Sequence, residues 1–334
     1  RGQVAAAICQ IKNISGVDGE YIVNAGNSQQ PLANLALAQT LTGHTRGIMS
    51  VQISPDGETL VSGGDTTVKV WDLASGNLEH TLRDHTEWVY SVDVSADGQR
   101  IASGSIDSTV KIWDLQTGEL LHDLTGHSDS VIDIDISPNG GLVASASDDQ
   151  TVKLWDLGTG NLLRTFEGHT DPVNAVAISP DGETIVSGSF DDTIKVWNWR
   201  RTEGSELLRT LPGHSGGVHA LAIASDGQTL FSGGEDGTIK IWNVATGELQ
   251  QTLASNSDRV DSLALSPDNQ TLASAGLGET IQIWDVPTQT VIETVSGIAS
   301  PALDIGPDGT LLVSGSGSPI DVDEEVEIRV WEAQ

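Results

Sequence analysis

The segment "VKVWD" at residues 68–72 returns six more times along this chain of 334 residues, each time in a variant with Trp as its fourth residue. The seven Trp residues stand at positions 71, 113, 155, 197, 242, 284 and 331, so successive intervals run from 42 to 47 residues. Internal repeats of about 40–45 residues that end in Trp-Asp are typical of β-propeller blades, each built from four strands. We therefore predict one repeating all-β domain.

Each repeat contains the signals of a small antiparallel sheet. After a Gly-His pair comes an alternating apolar run such as "VNAVAIS" at 173–179, which is typical of a half-buried strand. A turn such as "SPDG" at 179–182 follows, where Pro presets φ and Gly accepts positive φ. A second run, a short turn with Asp, a third run that ends in the Trp and a fourth run complete the repeat. No helical periodicity interrupts this pattern, so we predict four antiparallel strands in each blade.

The Gly-His pairs, the Asp turns and the Trp-Asp endings together resemble the WD-repeat family of β-propellers, over about residues 34–334 and in seven repeats. The resemblance implies a closed, seven-bladed ring of four-stranded blades around a central channel. Residues 1–33 lie outside the repeats and are predicted to form a separate N-terminal extension. This extension is either a hairpin lying on the ring or the remnant of a larger upstream region.

The two ends of the chain indicate how the ring closes. Only three residues follow Trp331, which is too few for a fourth strand in the last blade. At the other end, "NLALAQTLTGH" (34–44) matches "NLLRTFEGH" (161–169) in its final residues. We therefore expect the N-terminal strand to complete the seventh blade, which leaves no open sheet edge between the first and last blades.

The net charge of the chain is −31, from 16 basic and 47 acidic residues. Such a field repels phosphate backbones and anionic lipid surfaces, so we predict neither a nucleic-acid partner nor insertion into a membrane. No apolar run is long enough for a membrane-spanning helix. Cys9 is the only cysteine, so no intrachain disulfide forms. We expect a cytoplasmic protein, and export stays open because the sequence begins at Arg1 instead of Met.

Five repeats carry a His, a Ser, an Asp and a Trp at matching positions, a combination that invites comparison with a catalytic triad. Five copies of one active site would be redundant, and the chain offers neither an oxyanion hole nor a Gly-X-Ser-X-Gly elbow. The resemblance implies instead a structural hydrogen-bond network from Asp to His to Ser to Trp, which satisfies buried polar atoms. The expected members are His44, Ser62, Asp65 and Trp71 in blade 1; His85, Ser103, Asp107 and Trp113 in blade 2; His127, Ser145, Asp149 and Trp155 in blade 3; His169, Ser187, Asp191 and Trp197 in blade 4; and His214, Ser232, Asp236 and Trp242 in blade 5. We therefore predict no catalytic residue, no enzyme activity and no cofactor.

Three polar groups outside this network are candidate binding sites. The segment "DVDEE" at 321–325 concentrates carboxylates in a loop, and calcium prefers such oxygen ligands. Because it lacks the spacing and the Gly of an EF-hand loop, we predict a solvated loop, with calcium binding as the alternative. His80 and His122 occupy the same slot in neighbouring blades, but no third ligand follows the pattern, so no metal site is predicted. Residues 199–201 form a small basic insertion that is either a contact site or a longer hairpin.

The residues at one rim of the channel differ from repeat to repeat, while the core positions recur. Variation confined to one face of a regular scaffold is typical of a recognition surface, and exposed neighbouring aromatic residues usually mark an interface. The predicted apolar sector of this rim consists of Trp88, Tyr90, Ile106, Ile132 and Phe190. The predicted polar sector consists of His219, Glu235, Arg259 and Asp261, and the rim also includes Met49 and Asp148.

These features predict a non-catalytic scaffold that binds one or more proteins or peptides on the channel rim. A small-molecule or calcium-binding propeller is the alternative, and an enzyme that uses the central channel is a further one. Against the enzyme, the three histidines outside the Gly-His slot, His80, His122 and His219, are scattered along the chain. We expect the ring itself to be monomeric.

Overall fold

The computed structural model describes residues 32–204, 206–255, 259–276, 280–296, 302–316 and 326–334. Within these ranges 28 β-strands form seven four-stranded antiparallel sheets. The prediction of an all-β, seven-bladed propeller is therefore confirmed. None of the described ranges contains a helix that is long and apolar enough to cross a membrane.

The first three complete blades follow one another along the chain. The first strand of the chain, β1 (Leu35–Thr42), precedes them and belongs to the last blade. Blade 1 consists of β2 (Ile48–Ile53), β3 (Thr59–Gly64), β4 (Thr67–Asp72) and β5 (Leu78–Leu82). Blade 2 consists of β6 (Val89–Val94), β7 (Arg100–Ser105), β8 (Thr109–Asp114) and β9 (Leu120–Thr125). Blade 3 consists of β10 (Val131–Ile136), β11 (Leu142–Ser147), β12 (Val152–Asp156) and β13 (Leu162–Phe166).

The next three blades repeat this order of strands. Blade 4 consists of β14 (Val173–Ile178), β15 (Thr184–Ser189), β16 (Thr193–Asn198) and β17 (Leu207–Pro212). Blade 5 consists of β18 (Val218–Ile223), β19 (Thr229–Gly234), β20 (Thr238–Asn243) and β21 (Leu249–Ala254). Blade 6 consists of β22 (Ser262–Leu265), β23 (Thr271–Ala275), β24 (Thr280–Asp285) and β25 (Thr290–Ser296). The first strands of neighbouring blades contact one another, which places them around the central channel.

Blade 7 joins the two ends of the chain. It consists of β26 (Ala302–Ile305), β27 (Leu311–Gly315), β28 (Glu327–Ala333) and β1. The strands β1 and β28 pair antiparallel, from Leu35 opposite Ala333 to Thr42 opposite Glu327. The predicted closure by the N-terminal strand is therefore confirmed.

The hydrophobic core lies between neighbouring blades, because the middle strands present apolar side chains to both faces. Leu154 of blade 3, for example, packs in one cluster with Val176 and Trp197 of blade 4. Burying such an aliphatic side chain contributes roughly 1.5–3 kcal/mol. The blades approach so closely that a Cβ atom added to Gly188 would lie 2.6 Å from a methyl group of Val218 in the next blade. Each blade therefore depends on its neighbours for its core.

The described part of the chain begins inside this core. Leu32 is fully buried and belongs to the same cluster as Leu35. The domain boundary between residues 33 and 34 stays a prediction. The rest of the N-terminal extension, up to residue 31, and the acidic loop at 321–325 lie outside the described residues.

Candidate functional site

The His, Ser, Asp and Trp side chains form a continuous chain of hydrogen bonds, as blade 3 illustrates. Nδ1 of His127 donates to Oδ2 of Asp149 at 2.8 Å, and Nε2 accepts from Oγ of Ser145, also at 2.8 Å. The same Oγ accepts from Nε1 of Trp155 at 2.9 Å. Because an ionised carboxylate only accepts hydrogen bonds, Nδ1 of the imidazole must carry a proton. Blades 2, 4 and 5 repeat these contacts, with His-to-Asp distances between 2.7 and 3.0 Å. Blade 1 departs from the prediction, because Nδ1 of His44 lies 3.4 Å from Oδ2 of Asp65 without a hydrogen bond, while the contacts of Ser62 with His44 and Trp71 are kept.

These hydroxyl groups are closed to a substrate. The Ser residues of the network in blades 1 to 5 are all fully buried, and each hydroxyl lies between the His and the Trp of its blade. Burial raises the pKa of Asp149, but hydrogen bonds from His127 and Thr151 outweigh burial and hold that pKa below its usual range. The corresponding pKa of Asp236 is about 2. The arrangement thus fixes loops to strands and presents no nucleophile to the solvent.

A cavity of about 510 Å³ lies at the channel, against the first residues of the innermost strands. In blades 1 to 5 the innermost strand carries a β-bulge at the same place, and the bulged residue lines the cavity. A bulged residue has no partner on the neighbouring strand and its side chain is re-aimed. The five bulged residues are Met49, Tyr90, Ile132, Asn174 and His219. The same β-bulge therefore directs a different side chain from each of these five blades into one cavity.

Most of the predicted rim residues come together around this channel cavity. Its lining includes Met49, Tyr90, Ile132, Asp148, Phe190, His219, Arg259 and Asp261. The apolar and polar sides meet where the rings of Phe190 and His219 make an edge-to-face contact, with centroids 5.2 Å apart. On the polar side, Nε of Arg259 lies 2.5 Å from Oδ1 of Asp261. Glu235 is outside the lining, but its Oε1 lies 3.4 Å from Nε2 of His219.

Trp88 and Ile106 do not join this surface, although the predicted apolar sector included both. The ring of Trp88 lies 5.4 Å from the guanidinium carbon of Arg46 and lines a separate cleft between blades 1 and 2. Ile106 donates its backbone N–H to the carbonyl of Trp88 and is also outside the cavity lining. The bulge at Tyr90 is the physical reason, because it breaks the two-residue alternation that would place Trp88 and Tyr90 on one face.

The pKa values of Tyr90, Asp148 and His219 in the channel cavity are shifted towards the neutral forms of these groups. Burial raises the pKa of Tyr90, and the nearby Asp148 raises it further. Burial also raises the pKa of Asp148, together with the negative charges of Asp129 and Asp149. Burial lowers the pKa of His219, despite the opposing charge of nearby carboxylates. The cavity thus combines the neutral imidazole of His219, the phenol of Tyr90 and the carboxyl group of Asp148, whose charged neighbours are other carboxylates.

The predicted rim sectors left out Asn174, although it stands at one of the variable rim positions, and the carboxylates on the innermost strands were not predicted. Asn174 is only 8% exposed, and its Nδ2 has no hydrogen-bond partner among the described residues. Asp133 accepts a hydrogen bond from a backbone N–H of blade 4, and Asp304 accepts one from blade 1 across the closure. Burial raises the pKa of Asp133 to about 6 and that of Asp304 to about 7. The alternation in "VIDIDI" (131–136) was the available signal, because it places both Asp residues on one face of the strand.

The histidine pair and the basic insertion, which the sequence offered as further candidate sites, make contacts within the ring. In the ranges that the structure describes, no group of three or more His, Cys, Asp or Glu side chains is arranged to hold a metal ion. Nε2 of His80 and Nε2 of His122 each lie 3.0 Å from a carbonyl oxygen of the following blade. In the basic insertion, Trp199 donates to the carbonyl of Gly182 at 2.8 Å, and the guanidinium of Arg200 lies over its ring.

Comparison with known proteins identifies the family of these repeats. The family model for the WD domain, G-beta repeat (WD40), matches residues 36–72, 76–114, 118–156, 160–198, 205–243 and 247–285. These six matches include most of β1 but stop before β26, β27 and β28, the other three strands of blade 7.

Three curated proteins show the extent of the similarity. The chain is 41% identical over 66 residues to an uncharacterized WD repeat-containing protein of Synechocystis, which covers 18% of this chain and 19% of that protein. It is 50% identical over 46 residues to the small ribosomal subunit protein RACK1z of Arabidopsis thaliana, 14% of each chain. It is 40% identical over 63 residues to a ribosome biogenesis protein BOP1 homolog of Drosophila persimilis, 18% of this chain and 8% of that protein. The matched segments thus span less than a fifth of these relatives.

Proposed function

Because the chain belongs to the WD domain, G-beta repeat family, we propose that it is a non-catalytic scaffold that holds a protein or peptide partner at the channel cavity. One observation carries this proposal: the bulged residues that differ from blade to blade line a single cavity of about 510 Å³. A surface that only maintained the fold would repeat its side chains as the core does. Sites that recognise a partner instead vary on a constant scaffold.

The chemistry of the cavity favours a partner with an apolar anchor flanked by polar groups. Tyr90 and Phe190 offer aromatic faces, and Phe190 is 42% exposed. Asn174 has an Nδ2 donor without a partner, so a carbonyl oxygen of the bound segment would satisfy it. The net charge of −31 steers positively charged segments towards the protein, which favours a basic partner.

The names of the relatives do not identify the partner. The proteins called RACK1z and BOP1 homolog are a ribosomal subunit protein and a ribosome biogenesis protein, but each similarity covers only one or two repeats. Because residues of several blades line the channel cavity, a match over one or two repeats leaves most of its lining uncompared. The proposal therefore rests on the cavity itself.

A double substitution, Tyr90→Ala with Phe190→Ala, tests the proposed site. The partner is captured from native extract with the parent protein and identified, and its Kd is then measured for each variant. Loss of interface aromatic residues costs about 2 kcal/mol or more, so we expect the Kd to rise by at least about 30-fold. The melting temperature should stay close to that of the parent, because neither side chain belongs to the repeated core.

The matched control is Leu121→Ala with Leu162→Ala, which removes two exposed apolar side chains from the outer strands β9 and β13. This control should leave the Kd unchanged. An unchanged Kd for the Tyr90 and Phe190 variant would show that the channel cavity is not the binding face, and the Trp199 insertion would then be examined in the same way.

A further inference from the structure

A second cavity, of about 340 Å³, lies between the β3–β4 turn of blade 1 and the loop that leads into blade 2. We call it the blade 1–2 cleft. Its walls include Thr45, Arg46, Thr66, Lys69, Arg83 and Trp88. The turn beneath it is unusually short, because Ser62 stands nine residues before Trp71, whereas ten residues separate the same pair in blades 2 to 5.

Three of the 16 basic residues of this acidic chain meet in the cleft. At two of these three positions, other blades carry an acidic or an uncharged residue instead. Arg46 stands two residues after the Gly-His slot, where blades 2, 3 and 4 carry Glu87, Asp129 and Asp171. Arg83 lies at the end of the fourth strand, where blade 2 carries Thr125. The cleft is therefore a local reversal of charge on the ring.

The buried lysine of the cleft lacks the partners that its counterpart has. Nζ of Lys111 in blade 2 lies 2.7 Å from Asp84 and 3.1 Å from Asp123. Lys69, which is only 4% exposed, has a hydrogen bond of 3.4 Å to Thr81 instead. Among the described residues, no carboxylate lies within 4 Å of the charged nitrogens of Arg46, Lys69 or Arg83.

Two carboxylates also border the cleft, and neither neutralises these cations by contact. Asp65 already accepts four hydrogen bonds, from the backbone N–H and the hydroxyl of Thr45 and of Thr67. Glu87 is exposed to solvent. Burial lowers the pKa of Lys69, and the charge of Arg83 lowers it further against the opposing charge of Asp65. An anion bound in the cleft would raise the pKa of Lys69 and so stabilise its charged ammonium form.

Trp88 supplies the aromatic wall of the cleft. Its ring lies 5.4 Å from the guanidinium carbon of Arg46, a cation–π distance that orients the guanidinium. An Arg held in this way presents its planar fork of donors with less loss of conformational freedom. The position of Trp88 is therefore explained by the cleft rather than by the channel cavity.

We propose that the blade 1–2 cleft binds a phosphate-class dianion, either free or carried on a phosphorylated side chain of a partner. Two guanidinium forks and an ammonium group match the several oxygens of a phosphate better than the two of a carboxylate. The overall negative charge does not prevent this, because surface charges beyond about 8 Å are largely screened at physiological ionic strength. The site is separate from the channel cavity and does not depend on the proposed function.

Calorimetric titration with inorganic phosphate, O-phospho-L-serine and unphosphorylated L-serine tests the site. We expect saturable binding of both phosphates, tighter at low salt, and none of serine. Phosphoserine that binds at least tenfold tighter than inorganic phosphate identifies a phosphorylated side chain as the source, and equal affinities identify free phosphate. Arg46→Glu and Arg83→Thr, which introduce the residue types of neighbouring blades, should each weaken binding at least tenfold.

Two controls make the result specific. Arg200→Glu changes the charge by the same amount at another Arg that lies over a Trp ring, 4.9 Å from its centroid, and should leave binding unchanged. The Tyr90→Ala, Phe190→Ala variant should also bind phosphate normally, because it alters only the channel cavity. The proposal is overturned if neither phosphate binds saturably, or if Arg200→Glu weakens binding as much as Arg46→Glu.

Discussion

At single residues, the protein depends on buried polar side chains that are held in hydrogen-bond networks, as in blade 3. His127 is 8% exposed and is held between the carboxylate of Asp149 and the hydroxyl of Ser145. The same carboxylate accepts the backbone N–H groups of Ser128 and Thr151. Removing one partner from such a network leaves the other groups buried and unsatisfied. The resulting loss of stability is larger than the net stability that an ordinary hydrogen bond contributes.

Asp149→Ala should therefore lower the free energy of unfolding by about 1–3 kcal/mol, since it leaves Nδ1 of His127 only the hydroxyl of Thr151, 3.4 Å away, as an acceptor. Urea unfolding monitored by circular dichroism measures this change. The control is Asp171→Ala, because Asp171 is exposed and its side chain accepts one hydrogen bond, from Thr170. It should cost no more than about 0.5 kcal/mol. Equal losses in the two variants would contradict the role assigned to Asp149.

Among the strands, β1 has a special position because it brings the N-terminal end of the chain into the last blade. It pairs with β28 along its length and buries Leu41 in the cluster that also contains Ile328 and Val330. Without β1, the outer edge of β28 would expose unpaired backbone donors and acceptors. The ring would then be held at its seam only by the inner strands of blades 7 and 1.

Removal of residues 1–42 should lower the melting temperature by about 2 °C or more relative to removal of residues 1–31, because it exposes the edge of β28. A loss of 1 kcal/mol shifts the midpoint by about 2–4 °C in a domain of 150–250 residues and by less in this larger ring. The shorter deletion ends before Leu32 because that side chain is already buried. Differential scanning calorimetry of both truncated proteins provides the comparison. If the two melted together, the seam would not need its N-terminal strand.

Across the whole ring, carboxylates of the innermost strands connect one blade to the next. Asp93 accepts a backbone N–H of Ile136 in blade 3, and Asp135 accepts one of Ile178 in blade 4. Burial raises the pKa of Asp93 to about 7, and the charge of Asp133 adds to the effect. Burial and the charge of Asp93 also raise the pKa of Asp135 well above its usual range. The channel interior therefore favours protonated carboxyl groups, in contrast to the ionised carboxylates of the His network.

This contrast predicts a pH dependence with a definite sign. The pKa of Asp93 in the folded state, about 7, lies above the unfolded value of about 3.9, so its contribution to stability is complete below pH 4 and is lost as pH rises through about 7. Relative to the parent, Asp93→Asn should gain stability between pH 5 and pH 8, by on the order of 2 kcal/mol. Urea unfolding at pH 5, 6.5 and 8 measures the difference.

The control for this experiment is Asp97→Asn. Asp97 lies in an exposed turn, where a hydrogen bond from Ser95 lowers its pKa, so it is ionised in both states throughout this range. Its stability difference from the parent should not change between pH 5 and pH 8. A difference for Asp93→Asn that stays constant over the same range would show that Asp93 does not hold a proton in the folded ring.

Local patterns were sufficient to predict most of the architecture. The Trp spacing, the turns such as residues 179–182 and the strand alternation recur in every blade, because each blade must pack against its neighbours in the same way. The closure followed from the shortage of residues after Trp331, since a four-stranded blade needs a fourth strand from elsewhere. Much of the rim could also be located, because its residues vary where the core repeats.

The composition of the two proposed binding surfaces could not be predicted from these patterns. Trp88 and Tyr90 are two residues apart, yet a bulge directs them to different cavities. The unpartnered amide of Asn174 and the meeting of Lys69 with Arg83 depend equally on residues far apart in the chain. The amino-acid order therefore decides the fold of this protein, because blade structure is local and repeated. Which side chains share a cavity is decided only by the folded ring, because a bulge and contacts between blades leave no local mark in the sequence.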